Sequence, residues 1–395
     1  MPVTISRDPA LFRLGDAQFA VYYSNQAMDI AYEDGFGALA LVGPDGAVRA
    51  IRTAGMDTGV LDWNSEGLYF SDVDHELVTT AAGTTMASAP KEVGIQIASL
   101  EVEGTHVSVY NEGFTDTGYA TGIVTMDGAE VRSSVTEGMA GLASACADGV
   151  YLVASATGPL ADTYPPNPDG VAQEVLIRGW PGTPTVVDAY PAKGADDESA
   201  LATNAPCTDG VIAAIVMAPN GEVSADGIVG HALVLRTWNT VSGKHTELPV
   251  LDESGNPPDL TRDELLWVSN LGQPVLVGAL RWLSGNGTVY STDLTDGLTT
   301  PLVTTDGRCT GHSASYASFT SDSVYLLNSF YDKRPIQVVH YPLNGATPTT
   351  VATLPTPARL GKKDIRPVGF AVSPDLVARG WTPPARTSEP GTDPD

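Results

Sequence analysis

The chain has 395 residues, 42% of them hydrophobic, and its 47 acidic residues against 21 basic ones give a net charge of −26. A field of that sign repels phosphate backbones and anionic bilayers, so it excludes nucleic acid as a natural partner and favours cationic or neutral ligands. The longest apolar run, Val211 to Ala218, is too short to cross a bilayer, and the three cysteines (Cys146, Cys207 and Cys309) allow one disulfide at most, which excludes membrane insertion and a disulfide scaffold.

No run of residues keeps a helical period. Short segments of Val, Ile, Leu, Tyr and Ala are instead punctuated by many of the 41 glycines and 29 prolines, which predicts an all-β protein. Residues 1–17 read as a lead-in. Met1-Pro2-Val3-Thr4 lacks the charged-then-apolar order of a leader. That leaves an extracellular or cell-surface protein whose leader has been removed, or a cytoplasmic one.

From residue 18 to 381 one pattern recurs: an apolar strand, a turn ending in glycine, and a second β-rich strand. The turns are Asp45-Gly46, Ala82-Gly83, Asp127-Gly128, Pro181-Gly182, Ser242-Gly243, Asp296-Gly297 and Asn344-Gly345. Asp-Gly and Asn-Gly tolerate the positive φ that tight hairpins need. The glycines are spaced 37, 45, 54, 61, 54 and 48 residues apart, against ~40–50 for a four-stranded propeller blade. A second turn precedes several of these hairpins, at Glu66-Gly67, Asp148-Gly149, Asp209-Gly210 and Ser321-Asp322, so each unit holds four strands. The unit at the start lacks its innermost strand, and Pro367 to Val372 supplies one. This predicts seven four-stranded blades, with three N-terminal strands and one C-terminal strand closing the first; six- and eight-bladed rings are the alternatives. Loop insertions are expected at Thr157–Ala172, Pro219–Gly230 and Asp252–Asp263. Residues 382–395, rich in Pro, Thr and acid, read as a disordered tail or linker stub.

These hairpin glycines, with Leu235-Arg236-Thr237-Trp238-Asn239 ahead of Ser242-Gly243, resemble seven-bladed β-propellers of bacterial extracytoplasmic type. The resemblance lies in the architecture and points to no particular family; Trp-Asp and paired-glycine repeat signatures are absent. It implies a secreted, monomeric scaffold that binds a protein, a carbohydrate or a small molecule. A hydrolase or lyase with a cation-assisted site at the channel mouth is the alternative, although no catalytic motif is present.

In a propeller the loops entering the innermost strands crowd one mouth of the channel. The residues at those entries are Asp57, Glu92, Glu137, Glu198, Glu264, His312 and Asp364, six carboxylates and a histidine. Converging carboxylates disfavour one another's charge unless a cation lies between them. Ca²⁺, which takes several oxygen ligands in flexible geometry, is the cofactor such a mouth would hold, with Asp57, Glu137 and Glu264 as its expected ligands. Solvated loop carboxylates are the plainer reading of the same residues. His106 and His340 fall inside strands and are expected to be structural. Trp180, beside Pro181, is the tryptophan placed to offer an exposed stacking surface. Cys146 and Cys207 occupy matching places in neighbouring repeats. A disulfide needs Cα atoms within ~7 Å, so both are expected to be free and buried.

Overall fold

In the computed structural model, residues 3–25, 35–168, 172–190, 204–223, 229–261, 264, 274–307, 313–330, 335–362 and 364–380 are described. They form seven sheets, six of four strands and one of five. Blade 2 runs outward from its inner strand as Asp62–Trp63, Leu68–Ser71, His75–Thr79 and Thr84–Ser88. Blade 3 follows with Ile95–Val102, Thr105–Thr115, Gly118–Asp127 and Glu130–Glu137. Blade 4 comprises Met139–Cys146, Gly149–Ser155, Glu174–Trp180 and Thr185–Tyr190. Blade 5 comprises Cys207–Thr208, Val211–Val223, Val229–Asn239 and His245–Pro249. Blade 6 has Val275–Val277, Ala279–Leu283, Thr288–Thr292 and Thr299–Thr304. Blade 7 has Ser313–Phe319, Ser323–Phe330, Gln337–Pro342 and Thr349–Thr353.

Blade 1 closes the ring. Its inner strand is Arg366–Val372, which pairs antiparallel with Phe19–Ser24, and Gly37–Val42 and Val48–Thr53 follow outward. This is the predicted closure by strands from both ends of the chain. The lead-in adds something the sequence pattern did not: Val3–Ser6 pairs parallel with Val48–Thr53 as a fifth, outermost strand. Every predicted hairpin glycine, from Gly46 to Gly345, joins the third and outer strands of its blade, and all seven adopt positive φ.

The core lies between blades. Tyr23, Val21 and Phe19 of blade 1 pack with Tyr325, Leu327 and Val338 of blade 7. Val107, Ile123 and Ala98 of blade 3 pack with Leu152, Val150 and Ile177 of blade 4. Trp238 and Trp282 are both fully buried, the first between blades 4 and 5 and the second between blades 5 and 6. Each sheet is thus covered on both faces by its neighbours, so its strands read as continuous apolar runs.

Two expectations are corrected. Cys146 and Cys207 form a disulfide, with Cα atoms 5.2 Å apart. Blade sheets diverge outward but their inner strands converge: Ala143 and Asn204 form a parallel bridge, and the Ala205 N–H donates to the Ala143 carbonyl. That contact brings the start of blade 5 alongside the end of the blade 4 inner strand. The segment Pro219–Gly230 is also more than a loop. Pro219 pairs with His231 and Val223 with Val229, so the central strands of blade 5 extend into it as a long hairpin. The expected insertion after Thr157 carries a short helix, Pro159–Thr163, and residues 382–395 lie outside the described residues.

Candidate functional site

Four antiparallel strands per blade return every outer-to-inner crossover to the same end of the ring. Asp57 lies on the crossover from blade 1 to blade 2, where its N–H donates to the Gly94 carbonyl, and it is half-buried. Glu92 is exposed on the next crossover. Glu137 is the last residue of the outer strand of blade 3, exposed and opposite Ala120. Glu264 is half-buried and its carboxylate accepts the Thr261 N–H at 2.8 Å. Asp364 is exposed just before the inner strand of blade 1. Glu198 and His312 lie outside the described residues. Among the described residues, no group of three metal-ligating side chains includes Asp57, Glu137 or Glu264.

One carboxylate at this end of the ring was not singled out from the sequence. Glu112 sits in a β-bulge between Asn111 and Gly113 and accepts the Glu92 N–H at 3.0 Å. Half-burial holds its carboxyl above the usual range; the Glu92 N–H lowers it in part and the Glu92 charge raises it again. Asn-Glu-Gly within a strand was the available signal, because a glycine there marks a bulge that re-aims its neighbour. On the same side, Phe114 stands 83% exposed, edge-on to Tyr119 at 4.3 Å. The turn below it is wedged against blade 4, where the Tyr119 N–H donates to the Thr157 hydroxyl.

The group with metal-ligand spacing among the described residues is Asp72, Asp74 and His75, at the turn between the second and third strands of blade 2. The Asp72 carboxylate is already used: Oδ1 accepts the N–H groups of Asp74 and His75, and Oδ2 that of Ala54. It works as a turn clamp.

Other buried charges tie blades together. The Lys91 ammonium is fully buried, paired with Glu76 at 3.0 Å, and it donates to the carbonyls of Asp72 and His75. Glu76 also accepts from Ser71, and from Tyr110 and Ser108 across the seam in blade 3. Between blades 4 and 5, Arg236 bridges Glu174 and Glu247 at 2.8 Å each. A narrow cavity beside that bridge is lined by Met139, Leu142, Ser155, Glu174, Val216 and Trp238. Trp180 does not present a free stacking surface: it is half-buried against the core between blades 3 and 4. His340 lies in a strand as expected, its ring tilted against that of Tyr325 at 4.9 Å, and burial lowers its pKa.

Residues 13–158 match the family model described as YycP, beta-propeller domain. That stretch spans the blade 1 strands from Phe19–Ser24 to Val48–Thr53, blades 2 and 3, and half of blade 4. The chain is a seven-bladed β-propeller. It is similar to the β-propeller domain of the Trilobed protease from Pyrococcus furiosus, with 11% identity, a TM-score of 0.50, and coverage of 87% of this chain and 99% of that one. That domain is described as having an open velcro topology, whereas here Arg366–Val372 closes the ring. The Neurospora crassa Pan2 WD40 domain is 9% identical over 80% of this chain and 83% of that one, with a TM-score of 0.48. Apo AztD from Citrobacter koseri is 8% identical over 90% of this chain and 97% of that one, with a TM-score of 0.42. At such identities the likeness is one of fold alone. No curated protein matches the sequence.

Proposed function

We propose that this propeller is an extracytoplasmic binding scaffold whose ligand, a cationic group or a partner bearing one, seats on the acid-lined mouth. The reading rests on one observation: the buried charged groups are spent on joining blades, whereas Asp57, Glu92, Glu112, Glu137, Glu264 and Asp364 all lie at the crossover end. Phe114 and Tyr119 add an aromatic edge on that side, as recognition surfaces commonly do. The Cys146–Cys207 disulfide supports an oxidising compartment. A cationic ligand also suits a chain of net charge −26.

Ca²⁺ is the simplest probe. A cation that binds the folded state alone raises stability by mass action. At fixed ionic strength, millimolar Ca²⁺ is expected to raise the melting temperature above the value in chelator, and Glu112→Gln with Glu137→Gln to abolish that shift while stabilising the chelated protein. If Ca²⁺ does no more than matched sodium, the mouth carboxylates are merely solvated and the reading fails.

A further inference from the structure

The central hairpin of blade 3 outgrows its own sheet. Its ladder to the inner strand ends at Asn111 opposite Ile95, and its ladder to the outer strand ends at Ala120 opposite Glu137. Residues from Glu112 to Tyr119 therefore project from the crossover end of the ring with no strand of the blade on either side. Two strands alone are marginal in water, so such a tip needs support from elsewhere. Blade 4 supplies it. The Tyr119 carbonyl accepts the Gly138 N–H at 2.9 Å, and the Tyr119 N–H donates to the Thr157 hydroxyl at 3.2 Å. Gly118 packs backbone to backbone on Gly158: a Cβ on Gly118 would stand 2.8 Å from the Gly158 nitrogen, and one on Gly158 would run into the Thr117 carbonyl. Across the apex the Thr115 hydroxyl donates to the Gly118 carbonyl at 2.8 Å. What this clamp holds out is Phe114, 83% exposed and edge-on to Tyr119. Asp116 is exposed at the apex two residues on, and Asp162 is exposed on the short helix beside Gly158.

We propose that this tip is the docking edge for an arginine-bearing segment of a partner protein. The proposal rests on the reading of the crossover end as a binding surface for cations, and it names the kind of partner. An exposed phenyl adds little to folding, whereas a phenyl held rigidly in place removes part of the ordering cost that binding would otherwise meet. Binding energy concentrates on anchors of this kind, aromatic and surrounded by polar groups. A guanidinium stacks on an aromatic face and pairs with a carboxylate, and the tip presents one of each in Phe114 and Asp116; a compact ammonium does the first less well. Residues 112–119 include no Lys or Arg to compete for that place. The charge of the molecule selects among occupants. Two copies of a chain of net charge −26 repel each other, and the same field draws a basic segment in.

Panning a phage-displayed library of random peptides against the full-length protein tests this edge. The recovered peptides are expected to share an Arg beside an apolar side chain. Once synthesised, they should bind the Phe114→Ser variant about tenfold more weakly than the original protein, and exchanging their Arg for citrulline should cost a similar factor. Phe114→Ser removes an exposed side chain, so its melting temperature should not change. Gly158→Ala keeps Phe114 but breaks the clamp, and it should weaken binding as well; unchanged affinity there would overturn the docking edge in favour of a phenyl that is merely sticky. The proposal also falls if no consensus emerges, if the consensus lacks Arg, or if its peptides bind Phe114→Ser as tightly as the original. In that last case, peptides weakened by Glu112→Gln with Glu137→Gln would still uphold the acid-lined mouth, so the two readings fail separately. Recruitment to neutral phosphatidylcholine vesicles that depends on Phe114, without peptide binding, would overturn it in favour of a membrane.

Discussion

Lys91 shows how much of this fold depends on single polar side chains. Its three ammonium hydrogens face Glu76 and the carbonyls of Asp72 and His75, and its side chain is 0% exposed. Removing one member of such a pair leaves the other charged and desolvated, which costs far more than the intact pair contributes. Lys91→Ala is therefore expected to destabilise the protein by about 3–5 kcal/mol in denaturant unfolding. A loss within the range of an ordinary surface substitution would mean that water reaches Glu76. Little of this seam was legible in the sequence. His106 reads correctly as a strand histidine, but its contact with Asp62 depends on which blades are neighbours and how each strand is registered. Glu92 and Glu137 were legible as crossover residues because the hairpin glycines fix where each crossover falls. Glu112 was not, because a bulge displaces it from the alternation of its strand.

At the scale of elements, turns were easier to read than edges. Gly128 and Gly345 announce hairpins because their positive φ is cheap only for glycine. Val3–Ser6 carries no such mark, and four residues are too few for an alternation to register. The Cys146–Cys207 disulfide was not legible because matching positions in neighbouring blades usually lie too far apart to be bridged, whereas the Ala143–Asn204 bridge draws the inner strands of blades 4 and 5 together. The C-terminal strand was legible, and it carries the strongest expectation at this scale. Arg366–Val372 supplies the inner edge of blade 1, and Val368 and Ala371 pack into the core shared by blades 1 and 2. Deleting residues 364–395 should bare the backbone of Phe19–Ser24 and produce aggregation or a large fall in melting temperature. Ending the chain at residue 381 keeps Arg366–Val372 and the helix Pro374–Arg379 and serves as the control. A truncation at 363 that melts like the full chain would sink the closure.

The whole molecule joins a large negative charge to an interior rich in tyrosine, and the two act in the same direction at high pH. Tyr22, Tyr23, Tyr110 and Tyr190 are held above their usual pKa chiefly by burial, in blades 1, 3 and 4. In blade 7, Tyr341 is raised by burial and by its hydrogen bond to Asp306, and burial pushes Tyr325 up to about 12. In the unfolded chain each titrates near the ordinary value of ~10. Below that pH both states hold these protons and the tyrosines do not affect the balance. Above it the unfolded chain releases protons that the folded one keeps, so stability falls as pH rises. Ionisation would also add to a net charge that is already −26, which increases self-repulsion in the compact state. The propeller is therefore expected to lose its fold cooperatively in the alkaline window that opens near pH 10, with tyrosinate absorbance and loss of β-sheet ellipticity rising together. Added salt should move that transition upward by screening the repulsion, leaving the tyrosine contribution in place. Smooth ionisation of all 14 tyrosines near their ordinary value, with the ellipticity intact, would show instead that water reaches the seams between blades.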